Sequence, residues 1–331
     1  MNNATGILVL SDLVGGSLTS TTKELLAAGR PLAKTLGQKL SLALLGSDLT
    51  VSEKEAFSHG ADQLYIIEHP LLAEYQADLH LEALTQICRQ SNPNIILMGR
   101  TANGRDLAPR LATRLNVALA QDCLAIEIDD KSNRMVAHRP VYGGNAMAAV
   151  VCTGTPQMAT LRPKVYEPLQ PDSSHNGDVI RVDVELVASM ALVKLVKRVE
   201  EEAGGIQLEN ARIVVAGGRG MGGPESFKDL EELADLLGAG IGASRAVVDA
   251  GWAPPHMQIG LTGKAITPDL YITIAISGAS QHMAGCSGAK VIVAINKDGE
   301  ANIFKEARYG VIGDWKKALP SFTKTLRELM D

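Results

Sequence analysis

The run Gly217-Gly218-Arg219-Gly220-Met221-Gly222-Gly223 follows an apolar stretch at 212–216 and precedes a helical pattern that opens near Pro224-Glu225. Gly218, Gly220 and Gly223 satisfy G-x-G-x-x-G in the strand–turn–helix context that this motif requires. Glycine lets the backbone approach a phosphate closely, and the helix that follows supplies N–H donors and positive potential. Pro224 suits a first helical position, where an N–H has no partner to lose. The chemistry implied is the holding of a phosphate-bearing cofactor. A nicotinamide dinucleotide site would place an acid about 20 residues further on, for a ribose hydroxyl. Here the next apolar run ends Ala243-Ser244-Arg245, a hydroxyl and a cation, and Asp249 comes later on an expected helix. That favours another phosphate-bearing cofactor over NAD.

The same theme recurs at other strand ends. The run 270–276 passes into Ser277-Gly278-Ala279-Ser280-Gln281-His282, small and polar residues opening a short helix. The run 290–295 ends at Asn296, and 309–312 is followed by Gly313-Asp314. In an open parallel sheet the carboxyl ends of the strands share one edge, where ligands bind. Polar or glycine-rich endings on five strands therefore predict a cofactor edge. One loop stands outside the strand pattern: Gln258-Ile259-Gly260-Leu261-Thr262-Gly263-Lys264, after Pro254-Pro255. It reads either as a long surface hairpin or as a lid whose amides and Thr262 reach a ring system.

The elements that must position these residues follow from periodicity. In the first half, short apolar strands at 6–10, 40–45, 63–67 and 94–98 alternate with helical patterns at 19–36, 52–58, 77–90 and 103–115. Such alternation is the pattern of a parallel sheet covered on both faces. Closely spaced strand candidates at 123–128, 135–139, 146–152 and 157–162 follow without helices between them, as antiparallel additions to the domain. A Pro- and Ser-rich surface loop at 163–177 leads to a strand at 179–186 and a charged stretch at 194–205. The run Arg198-Val199-Glu200-Glu201-Glu202 reads as a solvated helix end. Alternation restarts at Ala211, with strands at 212–216, 239–243, 270–276, 290–295 and 309–312 and helices at 225–237, 281–285 and 314–330. The fold class is α/β in two domains, each an open, mostly parallel sheet with helices on both faces, with a boundary near Gly204-Gly205 (1–205 and 206–331).

Composition agrees with this. The chain has 331 residues, 46% hydrophobic and 21% charged, which argues against disorder or a fibrous protein. Its net charge of −5 argues against a nucleic-acid-binding face. Glycine is abundant, 32 residues against 4 Phe, 6 Tyr and 2 Trp, so numerous tight turns and close backbone approaches are expected. The four cysteines, Cys88, Cys123, Cys152 and Cys286, form no C-x-x-C pair and no metal-ligand spacing, as expected of a reduced cytoplasmic setting. No signal or transit peptide and no membrane-length apolar run is expected.

Several other residues have plainer readings. Gly99-Arg100-Thr101-Ala102-Asn103-Gly104-Arg105 has the look of a phosphate loop but lacks the Lys-Ser/Thr ending of a nucleotide hydrolase. Burial against a partner is preferred there to contact with a nucleotide, and Arg105 and Arg110 are read as interface or surface residues. His138 and Arg139 lie in a strand-like run, where packing or ion pairing is expected, and Met135, Met147 and Met158 read as core fillers.

Taken together, the segments 216–220, 242–245, 258–264, 277–282, Ala294-Ile295-Asn296-Lys297-Asp298 and 309–314 resemble the α subunit family of electron transfer flavoproteins, in order and approximate spacing. The first half is similar as well, through Gly104-Arg105-Asp106-Leu107-Ala108-Pro109-Arg110 and Arg139-Pro140-Val141-Tyr142-Gly143-Gly144, so the resemblance covers almost the whole chain. It implies a partner-facing first domain, similar to nucleotide hydrolases without their activity, and a Rossmann-like second domain that holds FAD. It further implies a heterodimer with a β subunit. Electrons would pass between flavin dehydrogenases, such as acyl-CoA dehydrogenases, and quinone- or ferredoxin-linked acceptors, with NADH-driven bifurcation left open and no substrate transformed by this chain alone.

Carried over by position, Arg219, Gly220, Ser244, Gln258, Ile259, Gly260, Leu261, Gly263, Ser277, Gly278, Ala279, Ser280, Gln281, Asn296 and Asp314 would line the FAD. Arg245 would lie over the flavin ring, Thr262 would approach N5 and His282 would approach O2. A cation and donors beside the ring favour its anionic reduced forms and so set the potential. Two positions depart from the family pattern: Leu261 stands where glutamine is common, and Ser280 where an aliphatic residue is frequent. Both bear on the flavin potential. The competing readings are an NAD(P)-dependent oxidoreductase using the glycine motif directly, and an adenine-nucleotide-binding regulatory protein using the first domain.

Overall fold

The computed structural model describes residues 4–144, 146–193, 195–197, 206–209 and 211–330. The chain divides into two units, Met1–Arg198 and Val199–Asp331. The expected boundary at Gly204-Gly205 and the charged run from Arg198 lie outside the described residues.

In the first unit, short apolar runs become β1 (Ile7–Leu10), β2 (Leu13–Val14), β3 (Ser17–Leu18), β4 (Leu40–Gly46), β5 (Gln63–Glu68), β6 (Ile95–Gly99), β7 (Leu119–Cys123), β8 (Ala125–Asp129), β9 (Arg134–Val141), β10 (Ala146–Val151), β11 (Gln157–Leu161) and β12 (Asp178–Arg181). Seven of them form a parallel sheet in the order β12-β5-β4-β1-β6-β11-β7. Its helices are α1 (Ser20–Leu36), α2 (Thr50–Ser58), α3 (Ala77–Ser91) and α4 (Ala102–Leu115). Side chains alternate between two cores, one on each face of the sheet. Ile7 and Val9 pack with Leu25 and Leu26 of α1, whereas Leu8 and Leu10 pack with Leu84 of α3 and Leu111 of α4. Cap chemistry sets the helix limits. Thr19 accepts a bond from the Thr22 N–H at 3.2 Å, and Gly37 closes α1 at φ +62°.

The tail of the unit differs from the sequence-based expectation. The run 123–128 falls on two strands, the end of β7 and most of β8, which part at Leu124 just after Asp122 turns to φ +61°. Of these strands, β8, β9 and β10 make an antiparallel sheet, whereas β7 and β11 pair in parallel within the main sheet. The physical reason is burial: all five residues of β11 are buried, while β10 is mostly exposed or half-exposed. Two apolar runs of similar composition thus occupy opposite environments.

In the second unit the strands are β13 (Ile213–Gly217), β14 (Gly240–Ser244), β15 (Gln258–Ile259), β16 (Leu270–Ile274), β17 (Val291–Asn296) and β18 (Tyr309–Ile312). All pair in parallel, in the order β15-β14-β13-β16-β17-β18. This is the order of a doubly wound sheet, which changes winding direction between β13 and β16. The helices are α5 (Phe227–Leu237), α6 (Arg245–Asp249), α7 (Ser280–Met283), α8 (Ile303–Glu306) and α9 (Trp315–Met330). On one face α5 and α9 bury Leu230, Leu233 and Leu319 against Val215 and Ile272. On the other, Ile259, Ile266 and Cys286 cover Val214 and Tyr271, so that face is closed by the 258–266 loop and the turn after α7. Among the described residues no helix is long and apolar enough to cross a membrane.

Candidate functional site

Parallel pairing brings the carboxyl ends of the second sheet to one edge. Gly217 pairs with Ala243 on one side and Ile274 on the other, while Asn296 pairs with Ile312 further out. At the change of winding the chain leaving β13 crosses the end of β16. The Gly218 N–H donates to the Ile274 carbonyl at 2.8 Å. A Cβ on Gly218 would overlap the Ala275 carbonyl oxygen and lie 2.6 Å from its carbon, and one on Gly220 would lie 3.1 Å from the Ala275 Cβ. Ala275 itself sits at φ +56°, unusual for a residue with a side chain. Close approach therefore requires glycine at 218, the first of the motif, while at 220, the second, a side chain would need only a small shift of Ala275. The third is different. Gly223 has an extended backbone, and Pro224–Ser226 forms a 3-10 turn before α5 starts at Phe227. The long helix thus begins one turn later than the motif suggests, and the exposed Arg219 and Gly220 lie in a short 3-10 turn at the edge.

Ser244 ends β14 and Arg245 opens α6. The Arg245 side chain is 67% exposed and its Nε lies 3.3 Å from the Asp249 carboxylate, one helical turn on. The sequence placed Asp249 on a helix but missed this pairing, which the i,i+4 spacing could have signalled.

The 258–263 loop is a stapled hairpin rather than a loose lid. Lys264 N–H donates to the Gln258 carbonyl at 2.6 Å, and Leu261 N–H donates to the Gln281 carbonyl at 2.7 Å, tying the loop to α7. Gly260, at φ +144°, packs so closely that a Cβ on Gly285 would be 2.5 Å from its Cα. Gln258 Nε2 donates to Thr262 Oγ1 at 2.9 Å, which leaves the exposed hydroxyl free to donate its own proton outward. Leu261 keeps the backbone bond that anchors the loop, so replacing glutamine there does not unmake it.

In the 277–282 segment, Ser277, Ala279, Ser280 and Gln281 are exposed. Gly278 turns at φ +77°, where a Cβ would lie 2.5 Å from the Ile303 Cα. His282 is only 7% exposed. Its Nε2 lies 2.8 Å from the hydroxyl of Tyr271 on β16, and Nδ1 is buried with no hydrogen-bond partner. Burial pushes the ring's pKa down to about 4, with a smaller opposing pull from the Ile259 backbone. The ring is neutral at pH 7. Sequence reasoning missed Tyr271, which as a buried strand residue carries no outward signal of a polar role.

Asn296 and Asp314 lie one and two strands further along the edge, and their polar groups are engaged by their own chain. Asn296 Nδ2 donates to the Ile276 carbonyl at 2.9 Å and its Oδ1 accepts from the Asp298 N–H at 3.0 Å. Asp314 accepts from the Lys316 N–H at 3.0 Å at the start of α9. Both shape the edge through the backbone.

The first sheet has an edge of the same kind but different chemistry. A cavity of about 380 Å³ there is lined by Asp12, Asp48, Glu74, His80, Asn103 and Gly104, among others. The Asp12 carboxylate accepts bonds from Thr101 Oγ1 and from Asn103 Nδ2, the latter at 3.2 Å, so a carboxylate of the chain itself already occupies the α4 N-terminus. Gly104 serves packing, since a Cβ there would overlap the Gly99 carbonyl. Nearby Arg110 pairs with Asp106 at 2.9 Å, and in the antiparallel sheet His138 pairs with Glu127 at 3.0 Å. Met135 and Met158 are core residues, whereas Met147 is exposed on β10, a correction to its reading as a core filler.

The crossing at Gly218, the outward hydroxyl of Thr262 and the orphaned Nδ1 of His282 fit a dinucleotide with a polar ring system. Comparisons with known proteins agree. Residues 7–187 match the model of the electron transfer flavoprotein domain, and residues 207–287 match that of the electron transfer flavoprotein FAD-binding domain. The electron transfer flavoprotein subunit alpha of Thermoanaerobacterium thermosaccharolyticum is 40% identical over 99% of this chain and 100% of its own length. That of Megasphaera elsdenii is also 40% identical, over 98% of this chain and 96% of its own. Protein FixB of Clostridium saccharobutylicum is 39% identical over 98% of this chain and 97% of its own. With an FAD-binding domain in its second unit, this chain belongs to the electron transfer flavoprotein α subunit family.

Proposed function

We propose that this chain is the FAD-carrying half of a heterodimer with a β subunit, relaying electrons between flavin dehydrogenases and another acceptor in a cytoplasmic setting. The observation that carries the reading is the second sheet's edge, where Gly218 brings backbone to the change of winding and a neutral, buried histidine keeps one ring nitrogen without a hydrogen-bond partner. FAD supplies the redox chemistry when bound, and the chain supplies binding and electrostatics.

Each residue has a role that follows from its environment. Arg219 and Gly220 present a cation and a side-chain-free backbone to a phosphate. Ser244 ends β14 beside Arg245, whose guanidinium counters negative charge gained on reduction and is itself tempered by Asp249. The Thr262 hydroxyl, held from behind by Gln258, offers its proton to a ring nitrogen. His282 offers a neutral N–H to a carbonyl oxygen. The backbone of Ile259, Gly260, Leu261 and Gly263 and of residues 277–281 forms the wall. Asn296 and Asp314 fix the edge that the cofactor crosses. The four cysteines are buried and unpaired, in keeping with a reducing compartment.

The absorption spectrum of this chain purified with its β subunit tests the reading. Flavin bands corresponding to about one FAD per heterodimer in this unit are expected. A colourless complex that binds NAD(H) tightly would replace the reading with that of a nicotinamide enzyme.

A further inference from the structure

The Tyr271–His282 pair determines which ring nitrogen carries a proton. Tyr271 is fully buried, and among the described residues its hydroxyl bonds only to His282 Nε2, at 2.8 Å. Were Nε2 protonated, it would donate to the tyrosine oxygen and leave the phenolic proton with no acceptor. A buried donor left unmet costs about 1–3 kcal/mol. With the hydroxyl donating instead, both atoms of the contact are satisfied and Nε2 is bare. A neutral ring then holds its single proton on Nδ1, which is buried on a residue more than nine-tenths buried and makes no hydrogen bond within the chain, the nearby Ile259 backbone giving the ring only a weak pull. Native structures rarely leave such a donor unmet, and a ligand acceptor supplies what the chain does not.

We propose that Tyr271 is a positioning residue that fixes the tautomer of His282, so that Nδ1–H is the donor this edge presents to a carbonyl oxygen of the flavin ring. The inference rests on the FAD reading of the site. It adds a residue beneath the edge that touches no cofactor and acts only through the histidine. A tyrosine donating from below keeps the imidazole from turning Nε2–H outward, and the rings stack with centroids 6.2 Å apart and planes 24° from parallel, which limits rotation. The acceptor that fits is a conjugated carbonyl whose oxygen gains negative charge on reduction, because a neutral N–H donor then binds the reduced form more tightly than the oxidised one.

The test uses the FAD-loaded αβ complex with histidine labelled by nitrogen-15, His282 being assigned by the signals lost in His282→Gln. Nδ1 is expected to carry the proton and Nε2 to be bare. Tyr271→Phe keeps the ring and its packing and removes only the O–H. It is expected to let the Nε2–H form become populated and to weaken the preference for reduced over oxidised flavin by roughly tenfold, about 59 mV for one electron. A protonated Nε2 in the unaltered complex, or a variant with unchanged tautomer and potential, would overturn the assignment. The first measurement needs no variant, so a misfolded Tyr271→Phe leaves it decisive. A heterodimer that binds no FAD would instead overturn the site reading itself.

Discussion

The two units set the same device against opposite chemistry. Each has a parallel sheet that changes winding direction at its centre, and each presents strand ends, glycines and a helix start at that place. In the first, Asp12 bonds to the side chains of Thr101 and Asn103 at the head of α4, with Asp48 and Glu74 nearby, so negative charge from the chain itself lies beside that helix start. In the second, the carboxylate beside the glycine run is that of Glu225, next to Gly223, while Gly218 and Gly220 lie against Ala275, Arg245 is exposed and paired with Asp249, and His282 keeps a buried ring nitrogen without a hydrogen-bond partner. The fold supplies an edge, and the side chains at the edge decide whether it is closed by the protein or left for a ligand.

Matched glycine substitutions should separate the two edges most strongly. Gly218→Ala forces a Cβ into the Ala275 carbonyl, and the second unit should lose about 3 kcal/mol of stability together with more than nine-tenths of its bound flavin. Gly104→Ala makes a comparable clash with Gly99, and should destabilise the first unit while flavin per folded heterodimer stays unchanged. Absorbance after gel filtration, with denaturant unfolding of the same samples, reads both effects. Equal flavin loss in the two variants would erase the distinction.

A smaller effect reads the second edge by pH. His282 has its folded pKa depressed to about 4 from 6.5, so the unfolded chain binds more protons between those values. Stability is complete above pH 6.5 and falls as the pH drops towards 4, by about 2 kcal/mol between pH 7 and pH 5 from this group. Unfolding of the second unit followed by denaturant at the two pH values should show this slope, and His282→Gln should flatten it. A slope unchanged in the variant would place the proton uptake elsewhere.

The finest effect concerns charge beside the ring. Arg245→Ala should lower the flavin potential by about 60 mV, a tenfold change in a one-electron equilibrium. Asp249→Asn, which frees the guanidinium from its 3.3 Å partner, should raise the potential by less. Shifts of the same sign in both variants would remove Arg245 from the ring environment.

Much of this was legible in the sequence, for identifiable reasons. Short apolar runs alternating with helical patterns fix a parallel sheet because both faces must be buried, and most strand limits fall within a few residues of expectation, although the run at 179–186 is a strand only as far as Arg181. The assignment of β7 and β11 to the main sheet was not legible, because strand pairing is set by partners far away in the chain. At the site, Gly218 was readable since only glycine tolerates such an approach. Tyr271 was not, since a tyrosine in an apolar strand looks the same whether its hydroxyl idles or directs a histidine. Asn296 and Asp314 were readable as polar endings, but not as residues whose polar groups are engaged by their own backbone.

Amide hydrogen exchange of the αβ complex, compared with and without FAD, tests the contrast between the two edges most directly. The account predicts protection on FAD binding at residues 218–222, 258–263 and 277–282, and none at residues 12–16 and 99–104. Protection centred on the Asp12 edge, with the second edge unchanged, would contradict it.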